Sequence, residues 1–215
     1  MPTLEAGLKT HFEKYSFKNA TLQDFVTELA LAAKNCGKVK HEQEMINWAE
    51  SWLKTPGCAK ITYNYEIADG KISKFEVHQT PYNLKNIPGN RLREQKFAFQ
   101  FLNEDMKEIA FVDHMTSDSQ ATTSVAELIG VAAPTAILVN ASTHGYGKFV
   151  IDDNTLTAFQ AGKLHKVEKS LNRSQIYRMI YDMVKSGDIP SSRAMDIITA
   201  NLEFETAEDI LSVVL

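Results

Sequence analysis

With 215 residues, 44% of them hydrophobic and 23% charged, the chain is long enough for one large domain or two small ones, and wholesale disorder is excluded. Lys and Arg total 23 against 27 Asp and Glu, a net charge of −4 that gives no general attraction to nucleic acid or anionic lipid. No apolar run reaches the roughly 18 residues of a membrane span, and Met1-Pro2-Thr3-Leu4-Glu5 does not read as a secretory leader. The expectation is a cytoplasmic chain with no membrane span and no nucleic-acid partner. Cys36 and Cys58 form no C-x-x-C pair and read as reduced thiols, with a disulfide between them as the alternative.

The first segment has a helical period. Leu4, Leu8, Phe12 and Tyr15 recur at steps of four, four and three. Thr21 with Asp24 three residues on predicts a capped second helix whose stripe is Leu22, Phe25, Val26, Leu29, Ala30 and Ala33. Asn35-Cys36-Gly37 ends it. A third helix from about Glu42 carries Trp48 and Trp52, read as packing anchors, and stops before Pro56-Gly57.

From Lys60 the period becomes two. Tyr63 and Tyr65 share a face with Phe75 and Val77 only if Tyr65 lies opposite Phe75, which predicts a three-residue loop or a bulge beside Asp69-Gly70. Pro88-Gly89-Asn90 marks a turn. Phe97, Phe99 and Phe101 alternate, Ile109 and Phe111 follow, and Ala136 to Val139 is a short buried run; Val125 to Val131 reads equally as strand or loop. Together these predict an antiparallel β-sandwich.

Helices return with Asp152 or Asp153 as a cap. Ser170 or Asn172 opens a helix with the stripe Ile176, Met179, Ile180, Met183 and Val184. Another runs from about Ser191 to Asn201, and Thr206 caps a last one that ends on Leu211-Ser212-Val213-Val214-Leu215 without a C-cap or polar tail. That ending, and a stripe starting at Leu4 with almost no lead-in, lead to the expectation of layers belonging to a longer structure. The fold class expected is therefore α+β: N-terminal helices, a central antiparallel β-sandwich and a C-terminal helical segment.

Local patterns supply no active site. His41-Glu42-Gln43-Glu44-Met45 has methionine where a zinc helix needs its second histidine. His78, His114, His144 and His165 have no ligand at metal spacing. Gly145-Tyr146-Gly147-Lys148 has too few glycines for a phosphate cradle and reads as a turn before an extended piece. No G-x-S-x-G elbow occurs. Glu104-Asp105 and Asp152-Asp153 are adjacent carboxylates without a readable pairing, and Lys163-Leu164-His165-Lys166 reads as a solvated helix end. No catalytic, cofactor-binding or metal-binding residue is assigned.

Particular words nonetheless resemble a family. The run from Gly7 to Thr21 followed by Asp24-Phe25, the W-x-x-x-W-L-x-T-x-G from Trp48 to Gly57, and Phe75-Glu76-Val77-His78-Gln79 are similar to zinc aminopeptidases related to aminopeptidase N and the puromycin-sensitive enzyme, which are gluzincin metallopeptidases. So is Val139-Asn140 followed by Gly145-Tyr146-Gly147-Lys148 and Asp152. Around Arg91-Leu92-Arg93-Glu94-Gln95 the chain departs from the family's Arg-x-His pair. The resemblance implies residues 1–57 as the end of a thermolysin-like catalytic domain, 58–142 as a β-sandwich domain and 143–215 as the start of a C-terminal α-helical domain. It places the zinc-binding H-E-x-x-H and the catalytic residues before the matching region. The chain is then expected to carry no cofactor itself, zinc being held by the full-length parent. Its expected partners are the rest of the parent aminopeptidase or an assembly partner, with peptide as the parent's substrate, and self-association. A naturally short, non-catalytic relative serving as a scaffold or binding module is the alternative.

Overall fold

Thr21 accepts a hydrogen bond from the Asp24 amide at 3.2 Å while the Asp24 carboxylate accepts from the Thr21 amide at 2.9 Å, so the second helix begins where the sequence placed its cap. This is seen in a computed structural model that describes residues 2–82 and 91–214. Pro88-Gly89-Asn90 and Leu215 lie outside the described residues. The order is helices, then strands, then helices, an α+β chain, and the described residues fall into two compact units, 2–56 and 57–214.

The first unit holds α1 (Pro2–Tyr15), α2 (Leu22–Asn35) and α3 (Glu42–Leu53). The α2 stripe is largely covered within this unit: Val26, Ala30 and Ala33 are buried. On α1 the face that meets α2 runs through Gly7 and His11, whose ring lies 5.2 Å from Phe25, while Leu4 and Phe12 of the expected stripe are exposed. A side chain at position 7 would collide with Leu29, with Cδ2 at 2.7 Å from the added Cβ, so Gly7 lets the two helices approach. The Trp48 and Trp52 rings lie 6.3 Å apart, tilted by 49°, but Trp48 remains 45% exposed and the buried anchor of α3 is Ala49 between them.

The second unit opens with β1 (Cys58–Ala68) and β2 (Lys71–Tyr82), joined by Asp69 and Gly70, both at positive φ. Tyr65 pairs with Phe75 and Tyr63 with Val77, and a bulge beside Glu66 and Ile67 keeps all four on one face despite the two-residue loop. Next come β3 (Lys96–Leu102), β4 (Glu108–Met115), β5 (Thr122–Ser124), β6 (Ala136–Val139) and β7 (Gly147–Phe149). Residues 126–128 are a turn of 3-10 helix, which resolves the Val125–Val131 stretch as loop. One sheet has the order β5-β2-β1-β7, the other β4-β3-β6.

Rings fill the space between the sheets: Phe99 meets Phe75 edge-on at 5.0 Å and Tyr63 at 5.4 Å. One pairing departs from the antiparallel expectation. After β6 the chain crosses to the free side of β1 and runs alongside it, so β7 pairs with β1 in parallel.

Helices α4 (Asp153–Gln160), α5 (Ser170–Lys185), α6 (Ser191–Leu202) and α7 (Glu208–Val214) complete the unit. Their apolar residues, including Phe159, Ile180, Ile197 and Ile210, belong to the same continuous core as the strands. The Ile137 amide of β6 donates to Thr155 Oγ1 of α4 at 2.8 Å, and Asn172 of α5 donates to Gln100 Oε1 of β3 at 3.1 Å. Glu205, rather than Thr206, serves the start of α7: its carboxylate accepts from the Thr206 and Ala207 amides, each at 3.0 Å.

Candidate functional site

The segment from Asn140 to Asp152 joins the two sheets to the helices, and its side chains fix it at three places. Asn140, at positive φ, closes the first turn on itself: its Nδ2 donates to the Gly145 carbonyl at 3.1 Å and its Oδ1 accepts from the Gly145 amide at 2.9 Å. The Tyr146 amide donates to Gln95 Oε1 at 3.0 Å. Gly147 then lies so near β1 that an added Cβ would stand 2.6 Å from the Ala59 carbonyl oxygen. The two glycines thus serve packing, and no phosphate cradle forms.

Lys148 is the second fixing point. Its side chain, 4% exposed, points its ammonium at Asp188 and Ser186 beyond the end of α5 and over the Tyr82 ring at 4.9 Å. Lys60 of β1 reaches the other Asp188 oxygen at 2.8 Å. Partial burial of Asp188 pushes its carboxyl up, but the hydrogen bonds from Lys148, Lys60 and Ser186 outweigh this and hold it well below the usual carboxylate range.

Asp152 is the third. One of its oxygens accepts from the buried Tyr63 hydroxyl at 2.7 Å and from Thr155 Oγ1 at 2.5 Å, the other from the Thr155 amide at 3.1 Å, so one carboxylate caps α4 and satisfies β1. Burial first, and the Asp152 charge second, push the Tyr63 hydroxyl well above its ordinary value. Asp153 turns instead to Arg193. The adjacent pair therefore has divided duties and forms no acid/base couple.

Between this segment and α5 lies a groove of about 610 Å³. Its floor is Phe149 and Met179, both buried, and its helical wall is the stripe Leu171, Ser174, Arg178 and Asp182. Asp209 of α7 closes one side. Phe97 holds Phe149 in place at 5.2 Å.

The remaining candidates have structural surroundings. His78 bridges Asn64 at 3.2 Å and Thr122 at 2.9 Å. His114 is buried against Phe97 and reaches Thr123 Oγ1 at 2.8 Å, and burial holds its imidazole below the ordinary value. His165 stacks on Phe204 at 4.5 Å. The His41 amide donates to Glu44 Oε1 at 3.1 Å at the start of α3, as in a helix cap. Cys36 and Cys58 form no disulfide, and burial pushes the thiol of Cys58 up. Among the described residues, no three of His, Cys, Asp or Glu come together to hold a metal ion such as zinc. Nor is any helix among them long and apolar enough to cross a membrane.

Sequence reasoning missed the long-range pairs. Lys148 with Asp188 and Arg173 with Glu205 are each more than 30 residues apart, and no local pattern announces them. Arg173 meets both Glu205 oxygens at 2.8 Å. Gln79, which ends the family-like strand word, and Arg93 of the departing stretch meet as well: the Arg93 amide donates to Gln79 Oε1 at 3.3 Å and its guanidinium to the Gly57 carbonyl at 2.9 Å.

The chain is 24% identical over 207 residues to aminopeptidase N of Streptomyces lividans. The alignment takes in 93% of this chain and 23% of that protein, so the chain spans about a quarter of its relative's length. No family model matches the sequence. The similarity is to an aminopeptidase.

Proposed function

We propose that this chain is a non-catalytic portion of a zinc-dependent aminopeptidase of the aminopeptidase N and puromycin-sensitive kind, inactive alone and structural in role. The observation that carries the reading is the similarity to the Streptomyces lividans enzyme along nearly the whole chain. The family-like words also have physical work in this fold: Asn140 closes its turn, Lys148 ties β7 to the end of α5, and Asp152 joins β1 to α4. In this reading α1 to α3 end a catalytic domain, the two sheets are a sandwich spacer, and α4 to α7 open a C-terminal helical domain. Together they would help to enclose a peptide chamber whose zinc is held elsewhere in the longer protein.

Two measurements test it. The purified chain, dialysed against zinc, is expected to retain less than stoichiometric metal and to release no fluorophore from an alanyl-aminocoumarin substrate. Stoichiometric zinc with turnover would defeat the proposal. The coding sequence upstream is expected to contain H-E-x-x-H.

A second reading is favoured by the exposed apolar side chains Leu4, Phe12, Phe17, Trp48 and Leu53 of the first unit. A short, non-catalytic relative would use such a surface to dock on a partner. Stop codons flanking this coding region on both sides would select it.

A further inference from the structure

We infer that the groove between the Asn140–Gly147 turn and α5 is a binding site for a short, extended peptide segment carrying a basic side chain. This does not depend on the aminopeptidase reading, because the groove belongs to this chain alone.

Shape comes first. A volume of about 610 Å³ lies within the range of small-ligand sites, roughly 300–1,000 Å³. The helical wall runs from Leu171 to Asp182, about 16 Å at 1.5 Å per residue, which matches about five residues of extended chain. The floor of Phe149 and Met179 is apolar and fixed in the core, so one side chain of such a segment can be buried there. The opposite wall is already rigid: the Asn140 clamp and the bond from the Tyr146 amide to Gln95 hold the turn before any ligand arrives.

Several polar groups that line the groove are uncommitted. Ser174 is 93% buried and lines the groove, yet its hydroxyl has no hydrogen-bond partner among the described residues. Arg178 and Asp209 form no ion pair with a described residue, and Asp182 has only a 3.9 Å contact with exposed Lys185. Elsewhere in this unit Lys148, Asp188, Arg173 and Glu205 are closely paired. The groove therefore presents a hydroxyl and a guanidinium suited to peptide carbonyls, and two carboxylates against one cation. That excess of negative charge selects a basic side chain and repels an acidic one.

The test uses the full chain and isothermal titration with two capped five-residue peptides, leucines flanking a central arginine in one and a central glutamate in the other. The arginine peptide is expected to bind at least tenfold more tightly. Its affinity is expected to fall at least tenfold in the D182N/D209N double variant and to hold in D105N, which changes an exposed carboxylate outside the groove. Circular dichroism checks that both variants keep the fold. Equal affinity for the two peptides, no binding of either at millimolar concentration, or an unchanged double variant would each overturn the inference.

Discussion

Tyr63 and Asp152 are 89 residues apart and meet at 2.7 Å, a buried phenol on β1 donating to the carboxylate that opens α4. The same carboxylate accepts the Thr155 amide, and the Thr155 hydroxyl in turn accepts the Ile137 amide of β6. One side chain thus coordinates a strand of each sheet with the first helix that follows them.

Replacing Asp152 by Ala should therefore cost more than an ordinary helix cap. The lost cap is worth about 1 kcal/mol, and a buried phenol left without an acceptor adds about 1–3 kcal/mol. Asp152→Asn keeps an acceptor and should lose less than half as much. Urea midpoints of the two variants check the order, and equal losses would show that Tyr63 finds another partner.

The Lys148 and Asp188 pair should be asymmetric. Asp188→Asn leaves a buried ammonium poorly compensated and should destabilise by roughly 3 kcal/mol or more. Lys148→Met leaves Asp188 with Lys60 and should cost clearly less. The pH dependence has a definite sign: the folded carboxyl is held below its ordinary value, so its contribution is present above about pH 4 and is lost as pH falls further. In Asp188→Asn the acid limb of the stability curve below about pH 4 should be shallower than in the parent protein.

Legibility in the sequence followed locality. The Thr21 cap needs residues three apart, and the pairing of Tyr65 with Phe75 is forced by alternation on both strands, so both could be read. The α1 stripe could be found but not aimed: periodicity says which residues share a face, whereas the close approach of α2 at Gly7 decides which face is covered. Likewise two tryptophans four apart lie together on α3, yet the contact with neighbours passes through the smaller Ala49. The groove was illegible because one wall is a helix stripe and the other a turn some 30 residues earlier. Its segment stood out only through resemblance, and the reasons for Asn140, Lys148 and Asp152 emerge from partners far along the chain.

His114 should make the protein acid-sensitive in a milder range. Burial holds its imidazole below the ordinary value, so the unfolded chain binds the proton more readily. Its contribution is full above about pH 6.5 and declines as pH falls below that. His114→Gln keeps a polar group near Thr123 and removes the titration. Its urea midpoint should change less between pH 7 and pH 5 than that of the parent protein; the same change in both would assign the sensitivity to other groups.

Gly147→Ala tests whether β7 is held as closely as the fold requires. The new methyl would meet the Ala59 carbonyl oxygen at 2.6 Å, and since that atom is backbone within a strand, the strands must part to admit it. Overpacking of this kind costs about 1–3 kcal/mol. Because β7 carries Phe149, whose ring floors the groove, the displacement should lower the melting temperature and weaken the arginine peptide together. Gly70→Ala, at a hairpin turn with open space around it, should lower the melting temperature through its positive φ while leaving peptide affinity intact. Loss of affinity in both variants would trace the effect to general destabilisation, whereas loss in Gly147→Ala alone ties the groove to the close pairing of β7 with β1.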